Sequence, residues 1–252
     1  MIKNLVSIVM PFYKKKIFFE ESFLSAINQS YKKIEIIIVF DDNDKKDLYY
    51  IKKIIAKYKR KVKLVINKKN KGVAYSRNQG IKFSRGEYLA FLDCDDYWNK
   101  NKLKKQISFM QKNRLNFSHT SYYIVDSYKN IIGKRLAKKY ISRKSLLRSC
   151  DIGLSTVILK RKLLTKIKFP NLKTKEDYVL WLKISKKEKI IGLNKILTSW
   201  RKTNDSLSSS IFQKIIDGYR VYLNYEKFTI IQSIFMVCRL SFFYLIKVTK
   251  NN

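Results

Sequence analysis

Three carboxylates directly follow a short apolar segment in the first half of the chain. Residues 89–92 are Leu-Ala-Phe-Leu, and Asp93, Asp95 and Asp96 come next. Carboxylate oxygens at the end of a buried strand are hard ligands that suit Mg²⁺ or Mn²⁺, which also bind phosphate oxygens. The pattern therefore predicts a divalent cation beside a phosphorylated ligand. The alternative is an Asp-rich turn that caps a helix beginning near Asn99, since Asp favours turns and N-caps.

The segments around these carboxylates alternate between strand-like and helix-like patterns. Short β-branched runs predict strands at 5–10, 34–40, 62–66 and 88–92, and helical periodicity predicts helices near 20–29, 46–59 and 73–84. This alternation is typical of a doubly wound α/β fold, in which ligands bind beyond the carboxyl ends of parallel strands. Asp41, Asp42, Gly72 and the carboxylates at 93–96 all follow or lie between predicted elements. We therefore expect them to meet at one edge of the sheet.

The second half of the chain has a less regular pattern. Residues 102–110 predict an amphipathic helix, 117–125 and 156–159 predict strands, and 133–149 predict a mobile loop or short helix over the site.

Four motifs in this chain resemble those of the family 2 glycosyltransferases and occur in the order of that family. They are VSIVMPFY at 6–13, IIIVFDDN at 36–43, NKGVAYSRNQG at 70–80, and RGEY at 85–88 leading to a DxD motif at Asp93-Cys94-Asp95. The resemblance is dense over residues 5–120 and thinner to about residue 210.

The resemblance implies a GT-A fold, which is α/β with a Rossmann-like, mainly parallel central sheet, followed by a C-terminal helical tail. We expect a glycosyltransferase domain at 1–210, with a nucleotide-binding half at 1–98 and an acceptor-side half at 99–210, and a tail at 211–252. The implied activity is metal-dependent, inverting transfer of a sugar from a nucleoside diphosphate, UDP being the expected one. The implied acceptor is a hydroxyl of a surface glycan or glycolipid, as in lipopolysaccharide, lipooligosaccharide or capsule.

The resemblance also implies roles for individual residues. By position it assigns contacts with the donor nucleotide to Pro11, Tyr13, Asp41, Asp42, Gly72, Arg77 and Asp93, and the metal to Asp95 with Asp96 as a possible second ligand. Asp42 is expected to accept a hydrogen bond from the uracil ring, and the fork of Arg77 suits phosphate. The alternatives are an exposed loop carboxylate for Asp42 and a helix-surface salt bridge for Arg77.

A catalytic base is expected further along the chain. An acceptor hydroxyl attacks poorly until its proton is removed, and an ionised carboxylate aligned with that hydroxyl can accept the proton. Residues 174–182, TKEDYVLWL, resemble the family's Glu-Asp motif at the head of a helix. The resemblance makes Asp177 the base and places Glu176 and Trp181 on the acceptor side. Acidic residues that merely favour a helix N-terminus are the alternative.

The chain departs from the family pattern after Ser199-Trp200-Arg201. A His often follows there in the family, whereas this chain has Lys202, Thr203 and Asn204. Because the imidazole is missing, we expect Arg201 or Lys202 to meet the diphosphate as a positive charge. His119, the single histidine, lies in a predicted strand, where we expect a structural role.

The composition leaves a second class of function open. Lys and Arg number 55 against 19 Asp and Glu, for a net charge of +36. A non-catalytic protein that binds nucleic acid or an anionic membrane would have such a charge. No DNA-binding or RNA-binding signature occurs, so specific nucleic-acid binding is not expected. Three cysteines without a CxxC pattern and the lack of a signal-peptide pattern favour a cytoplasmic protein.

The segment 228–246 is apolar apart from Arg239. At helical spacing, Gln232, Ser233 and Arg239 lie close to one face, opposite Phe228, Ile231, Phe235, Cys238, Phe242 and Leu245. This pattern predicts an interfacial helix that attaches the protein peripherally to the anionic inner face of the cell membrane. The alternative is a helix packed on the protein's own core or on a dimer partner.

Overall fold

A computed structural model describes residues 1–58, 61–203 and 210–249. Within these residues the strands form one nine-stranded sheet. They are β1 (Ile2–Phe12), β2 (Ile34–Phe40), β3 (Val62–Ile66), β4 (Gly86–Phe91), β5 (Tyr97–Trp98), β6 (Phe117–Val125), β7 (Ile131–Arg135), β8 (Ile158–Lys160) and β9 (Ile191–Arg201). The α-helices are α1 (Lys16–Ile27), α2 (Lys45–Ile55), α3 (Val73–Phe83), α4 (Lys102–Lys112), α5 (Arg143–Arg148), α6 (Glu176–Ile184), α7 (Ile211–Arg220) and α8 (Ile230–Thr249).

The first half of the sheet is parallel, in the order β3-β2-β1-β4. All seven residues of β2 are buried, as expected for a strand covered by helices on both faces. The four strands predicted here from the sequence are confirmed, and so are the three helices between them. The α/β architecture is therefore confirmed, and this half of the sheet is parallel.

The second half of the sheet is mixed. Strand β8 runs antiparallel to β4 and β6, β9 runs parallel to β6, and β5 and β7 add antiparallel pairs to β9 and β6. The segment 133–149 contains the expected short helix, α5, whose Leu146 is fully buried. It also contributes to β7, which we did not expect, because exposed and half-buried residues hide its alternation.

The C-terminal segment packs on the rest of the protein. A π-helical turn, Val221–Tyr225, connects α7 to the segment that leads into α8. Val221, Tyr222, Met236 and Val237 are buried in the same apolar cluster as Leu89 in the central sheet. The tail and the sheet therefore share a core. This packing agrees with the alternative raised by the sequence, in which the C-terminal helix lies on the protein's own core.

His119 lies in this core, on strand β6. Its residue surface is 1% exposed, and neither ring nitrogen has a hydrogen-bond partner among the described residues. A Cβ added at Gly192 would lie 2.9 Å from its Nε2 atom, so the neighbouring strand leaves room for the ring only because residue 192 is glycine. Burial lowers the pKa of His119 to about 4.

We expect the free energy of unfolding to fall as the pH drops from about 6.5 towards 4. Over this range the unfolded chain protonates His119, whereas the folded protein keeps it neutral, so stability is lost as the pH decreases. The largest contribution is about 3 kcal/mol. Urea unfolding at several pH values should show a weaker pH dependence for His119→Asn, which carries no titrating ring. An identical pH dependence in both proteins would contradict this assignment.

Candidate active site

The loops at the carboxyl ends of the first two strands are tied to each other. The backbone N–H of Lys14, after β1, donates to Asp42 Oδ2 at 2.9 Å, and the N–H of Asp41 donates to the carbonyl of Phe12 at 2.9 Å. Asp42 is 8% exposed and also accepts a hydrogen bond from the N–H of Asn43. Asp41 and Asp42 thus meet the end of β1 at this edge of the sheet, as expected. The contact of Asp42 with a uracil ring stays a prediction.

Asp41 fixes the loop that precedes α3. Its Oδ1 atom accepts hydrogen bonds from the side-chain amide of Asn67 at 2.7 Å and the N–H of Lys71 at 2.8 Å, and its Oδ2 accepts from the N–H of Gly72 at 2.8 Å. Asp41 is only 2% exposed. Asp41 therefore shapes this loop, and its expected contact with the nucleotide stays a prediction.

Gly72 is the N-cap of α3 and has a φ of +86°. A Cβ built at this position would meet no atom within 4 Å. Positive φ, rather than the close approach of another group, therefore accounts for glycine at this position.

The DxD motif follows β4 in an alternating arrangement. Cys94 is buried, whereas the side chains of Asp93 and Asp95 are 32% and 16% exposed. Each carboxylate has a cationic partner: Arg77 Nη2 lies 2.7 Å from Asp93 Oδ1, and Lys15 Nζ lies 3.2 Å from Asp95 Oδ2. The two predicted ligand-binding carboxylates thus face the same side, with positive charge at both.

Asp96 and Arg201 hold the DxD loop through hydrogen bonds to other segments of the protein. Asp96 is 2% exposed and accepts hydrogen bonds from Ser155 Oγ at 2.5 Å and from the N–H of Arg201 at 2.9 Å. The guanidinium of Arg201 donates to the carbonyls of Asp95 and Ser127 and pairs with Glu21 at 2.7 Å.

Two expected ligand contacts involve these residues. Both oxygens of Asp96, expected as a second metal ligand, accept hydrogen bonds from the protein. The side chain of Arg201, expected to contact a diphosphate, is 1% exposed and its donors are used within the protein. The metal and diphosphate contacts stay predictions. Lys202 is exposed and remains available for the diphosphate contact, whereas Asn204 lies outside the described residues.

Arg77 connects the DxD motif with the head of α6. Its side chain is 5% exposed, and its two terminal nitrogens pair with Asp93 and Glu176. Its guanidinium also lies 5.6 Å from the centre of the Phe169 ring. In the structure the fork of Arg77 joins two carboxylates and so ties the DxD loop to the Glu-Asp pair. Its expected phosphate contact stays a prediction.

Asp177 lies in the first turn of α6, next to Glu176. Its Oδ1 atom accepts a hydrogen bond from the N–H of Tyr178 at 2.7 Å, and no described residue donates to its Oδ2. Burial raises the pKa of Asp177, and the positive charge of Arg77 opposes the rise. Burial likewise raises the pKa of Glu176, to about 7. A carboxylate with a raised pKa is a stronger base, which suits proton abstraction near neutral pH.

The remaining predicted residues have different positions. Pro11 belongs to β1, opposite Val39, and Tyr13 is 40% exposed just beyond it, where its ring is accessible. Trp181 has no exposed surface and packs on Phe117 at 5.1 Å between ring centres. The structure thus places Trp181, which was expected on the acceptor side, in the core, because one helical turn after Asp177 the chain points inward.

Several residues of the site were not found from the sequence. Lys15 pairs with Asp95, Ser155 binds Asp96, and Asp217 of α7 accepts hydrogen bonds from Thr174. Lys15 is one of three consecutive lysines, and no pattern distinguishes it from its neighbours. Ser155 and Asp217 lie 59 and 43 residues from their partners, so only the fold brings them together.

The DxD carboxylates fit a hard cation that shares its ligands with phosphate. Asp93 and Asp95 offer exposed oxygens, the donor type that Mg²⁺ and Mn²⁺ prefer. The described residues contain no group of three or more His, Cys, Asp or Glu side chains arranged to hold a metal. A cation here would accordingly depend on phosphate oxygens and water for its remaining ligands, as Mg²⁺ commonly does.

Comparison with known sequences gives a family match and close relatives. The model of the family described as Glycosyl transferase family 2 matches residues 7–168. The chain is 37% identical to the UDP-Glc:alpha-D-GlcNAc-diphosphoundecaprenol beta-1,3-glucosyltransferase WfgD of Escherichia coli, covering 84% of this chain and 82% of the relative. It is 39% identical to WfaP of Escherichia coli, which has the same activity name, covering 84% and 83%.

Comparison with solved structures gives the same fold. S. aureus TarS in complex with UDP-GlcNAc matches 92% of this chain and 70% of its own, with a TM-score of 0.70 and 21% identity. The mannosyltransferase PcManGT from Pyrobaculum calidifontis, in complex with GDP-Man and Mn²⁺, matches 92% and 69%, with a TM-score of 0.70 and 14% identity. The expected GT-A fold is confirmed.

Proposed function

Because this chain belongs to glycosyltransferase family 2 and is a glycosyltransferase, we propose that it transfers glucose from UDP-glucose to a sugar carried on a lipid diphosphate. The acceptor sugar is N-acetylglucosamine, the new linkage is β-1,3, and the product is an intermediate in surface-glycan assembly. The names of WfgD and WfaP support the donor and the acceptor. The observation that carries the proposal is the bridge of Arg77 from Asp93 to Glu176, which holds the DxD motif beside Asp177.

In the proposed reaction, Asp177 takes the proton of the attacking acceptor hydroxyl. The hydroxyl oxygen forms a bond to the anomeric carbon, and the bond from that carbon to the diphosphate oxygen breaks, with its electron pair remaining on the diphosphate. Attack from the side opposite the leaving group inverts an α-linked donor to a β-linked product. Glu176, held by Arg77, fixes the first turn of α6 and so orients Asp177.

The donor diphosphate is proposed to lie at the DxD motif. When bound there by Asp95 and the phosphates, a divalent cation supplies electrostatic stabilisation for the departing diphosphate. Lys15 adds a positive charge at the same carboxylate, and its Nζ atom is also fixed by Thr203 Oγ1 at 3.0 Å. The exposed ring of Tyr13 borders this position on the side of β1.

Replacing Asp95 with alanine tests the proposal against a non-catalytic polyanion-binding protein. We expect wild-type protein with Mn²⁺ to hydrolyse UDP-glucose slowly. In Asp95→Ala that rate should fall at least 100-fold, since the carboxylate that helps to stabilise the charge of the leaving group is removed. Hydrolysis is measured by UDP release. Binding to heparin at increasing salt is the control and should not weaken in the variant. Wild-type protein that binds heparin but neither binds nor hydrolyses any UDP-sugar would favour the polyanion-binding class.

The outer face of α8 is proposed to contact the membrane. Ser233, Met236 and Val237 face the core, whereas Ile231 and Phe235 are 80% and 62% exposed. Ile230, Ile234, Cys238 and Phe242 are also exposed. The helix thus has one apolar face packed on protein and a second one exposed, so both alternatives raised by the sequence apply to different faces. Ser233, expected on the polar face, is buried, and the side chain of Leu245 lies outside the described residues.

In the described part of the chain, no helix is long and apolar enough to cross a membrane. Insertion of the outer face of α8 into the headgroup boundary at the inner surface of the cell membrane would bring the enzyme to a lipid-linked acceptor.

We expect the double variant Ile231→Ser/Phe235→Ser to lose most of its flotation with phosphatidylglycerol vesicles, since it removes two large apolar side chains from the exposed face. Tyr128→Ser is the matched control, because Tyr128 is 87% exposed on a loop elsewhere. Wild-type protein that stays in the soluble fraction at low salt would contradict membrane binding.

A further inference from the structure

Lysines from separate segments lie near the Glu-Asp pair. Lys175 is the N-cap of α6, and Lys214 lies in the first turns of α7, one helical turn before the point that the Lys175 side chain reaches. Burial lowers the pKa of Lys214, and the positive charges of Lys175 and Lys202 lower it further. Like charges brought together on a protein repel one another, and a bound anion would relieve that repulsion.

Specific contacts hold two of these lysines in place. Lys175 has a left-handed backbone, with a φ of +60°, and its side chain lies along α7: a Cβ built at Gly218 would be 3.6 Å from its Cε atom. The Nζ atom of Lys214 lies 5.6 Å from the centre of the Tyr244 ring of α8. Lys214 forms no ion pair with a carboxylate in the part of the chain that the structure describes.

Helix α7 is fixed to the segment that carries the catalytic base. Asp217 is fully buried and accepts hydrogen bonds from the N–H and Oγ1 of Thr174 at 2.9 and 3.0 Å. Gln213 also donates to Asp217, at 3.0 Å. Since Thr174 lies three residues before Asp177, the position of Lys214 relative to the base is set by these bonds.

An exposed apolar surface begins next to the lysines. Ile211, Phe212 and Ile215 of α7 are 73%, 75% and 44% exposed, and they flank Lys214 in the sequence. Tyr244 of α8, which is 56% exposed and lies beside Lys214, extends this area. From Asp177, the chain thus presents Lys175, then Lys214 on the helix that Lys175 reaches, then the exposed apolar residues of that helix.

We propose that Lys175 and Lys214 bind the diphosphate of a lipid-linked acceptor. This inference rests on the proposed function and adds the subsite that distinguishes the acceptor from a free sugar. A sugar, a diphosphate and a lipid chain follow one another in such an acceptor in the same order as Asp177, the lysines and the apolar surface. The donor diphosphate is proposed to bind elsewhere, at Lys15 and the DxD carboxylates, where Arg77 pairs with Asp93 through the terminal nitrogen that does not pair with Glu176.

The test compares Lys214→Gln with two acceptor probes. One is an undecyl diphosphate carrying α-linked N-acetylglucosamine, and the other is octyl α-N-acetylglucosaminide, which has no diphosphate. For the diphosphate probe, we expect Lys214→Gln to raise KM, and Kd measured by calorimetry, at least tenfold. For the octyl glycoside, both Kd and KM should stay unchanged. The KM for UDP-glucose should also stay unchanged. Lys214→Arg should retain most of the affinity. Lys104→Gln, which removes an exposed lysine of α4, is the matched control.

Two outcomes would overturn the proposal. In the first, wild-type protein and Lys214→Gln bind the diphosphate probe with equal Kd values. In the second, Lys214→Gln weakens the binding of both probes by the same factor. Loss of flotation with phosphatidylglycerol vesicles without loss of probe affinity would assign the lysines to lipid headgroups instead. If wild-type protein binds the diphosphate probe through Lys214 but transfers sugar to neither acceptor, the proposed function fails and the anion site remains. If it transfers to both and Lys214→Gln does not distinguish them, only the subsite is wrong.

Discussion

Replacing Asp177 with asparagine should lower kcat about 1,000-fold while UDP-glucose binds with its wild-type affinity. The amide keeps nearly the shape of the carboxylate but cannot accept the acceptor proton, and general base catalysis typically contributes 100- to 10,000-fold. Because the donor is proposed to bind at Asp93 and Asp95, its Kd should change less than about twofold. Steady-state kinetics with a saturating acceptor and calorimetry with UDP measure the two quantities.

Glu20→Gln is the control for this change. Glu20 is an exposed carboxylate of α1 whose contact is the hydroxyl of Tyr50 at 3.1 Å, so the same carboxylate-to-amide change there should not alter kcat. A value of kcat for Asp177→Asn close to that of wild type would show that another group removes the proton. A large loss of donor affinity would show instead that Asp177 belongs to the donor site.

Replacing Arg77 with methionine should lower the free energy of unfolding by about 3–5 kcal/mol, since it removes one partner from a buried ionic network. The Glu176 side chain is 9% exposed and would lose its cation. Because Arg77 opposes the raised pKa of Glu176, already about 7, its loss should raise that pKa further and protonate Glu176 at neutral pH. Urea unfolding measures the change in stability.

Two further variants separate this effect from a general loss of arginine. Adding Glu176→Gln to Arg77→Met should recover part of the stability, because the free-energy cost of protonating the buried carboxyl on folding at neutral pH is then absent. Arg85 pairs with Glu35 at 2.9 Å, but its own side chain is 67% exposed, so Arg85→Met should cost about 1 kcal/mol or less. Similar costs for Arg77→Met and Arg85→Met would contradict the bridging role of Arg77.

The strands of the nucleotide-side half were predictable because each is a short, β-branched segment between helical periods. Residues 34–40 illustrate this, since burial on both faces leaves no polar position to obscure the pattern. The grouping of Asp42, Gly72 and Asp93 was also predictable, because the ends of parallel strands meet. In contrast, the short edge strand β7 has mostly exposed residues and no clear alternation.

The roles within the site were less predictable, since they depend on contacts between distant residues. Asp96 binds the backbone of Arg201 across 105 positions, and Arg77 reaches Glu176 across 99. No local spacing indicates which carboxylates face the ligand and which support the loop. Trp181 shows the same difficulty on a helix, because an aromatic residue after a Glu-Asp pair has the same sequence whether it faces the acceptor or the core.

The most direct measurement of the central claim is the product formed from UDP-glucose and the undecyl diphosphate that carries N-acetylglucosamine, in the presence of Mn²⁺. We predict a disaccharide product in which proton NMR shows a β-linked glucose at position 3, formed by wild-type protein and not by Asp177→Asn. An α-linked product would contradict this account. So would a failure of wild-type protein to transfer a sugar to this acceptor from UDP-glucose, UDP-galactose or UDP-N-acetylglucosamine.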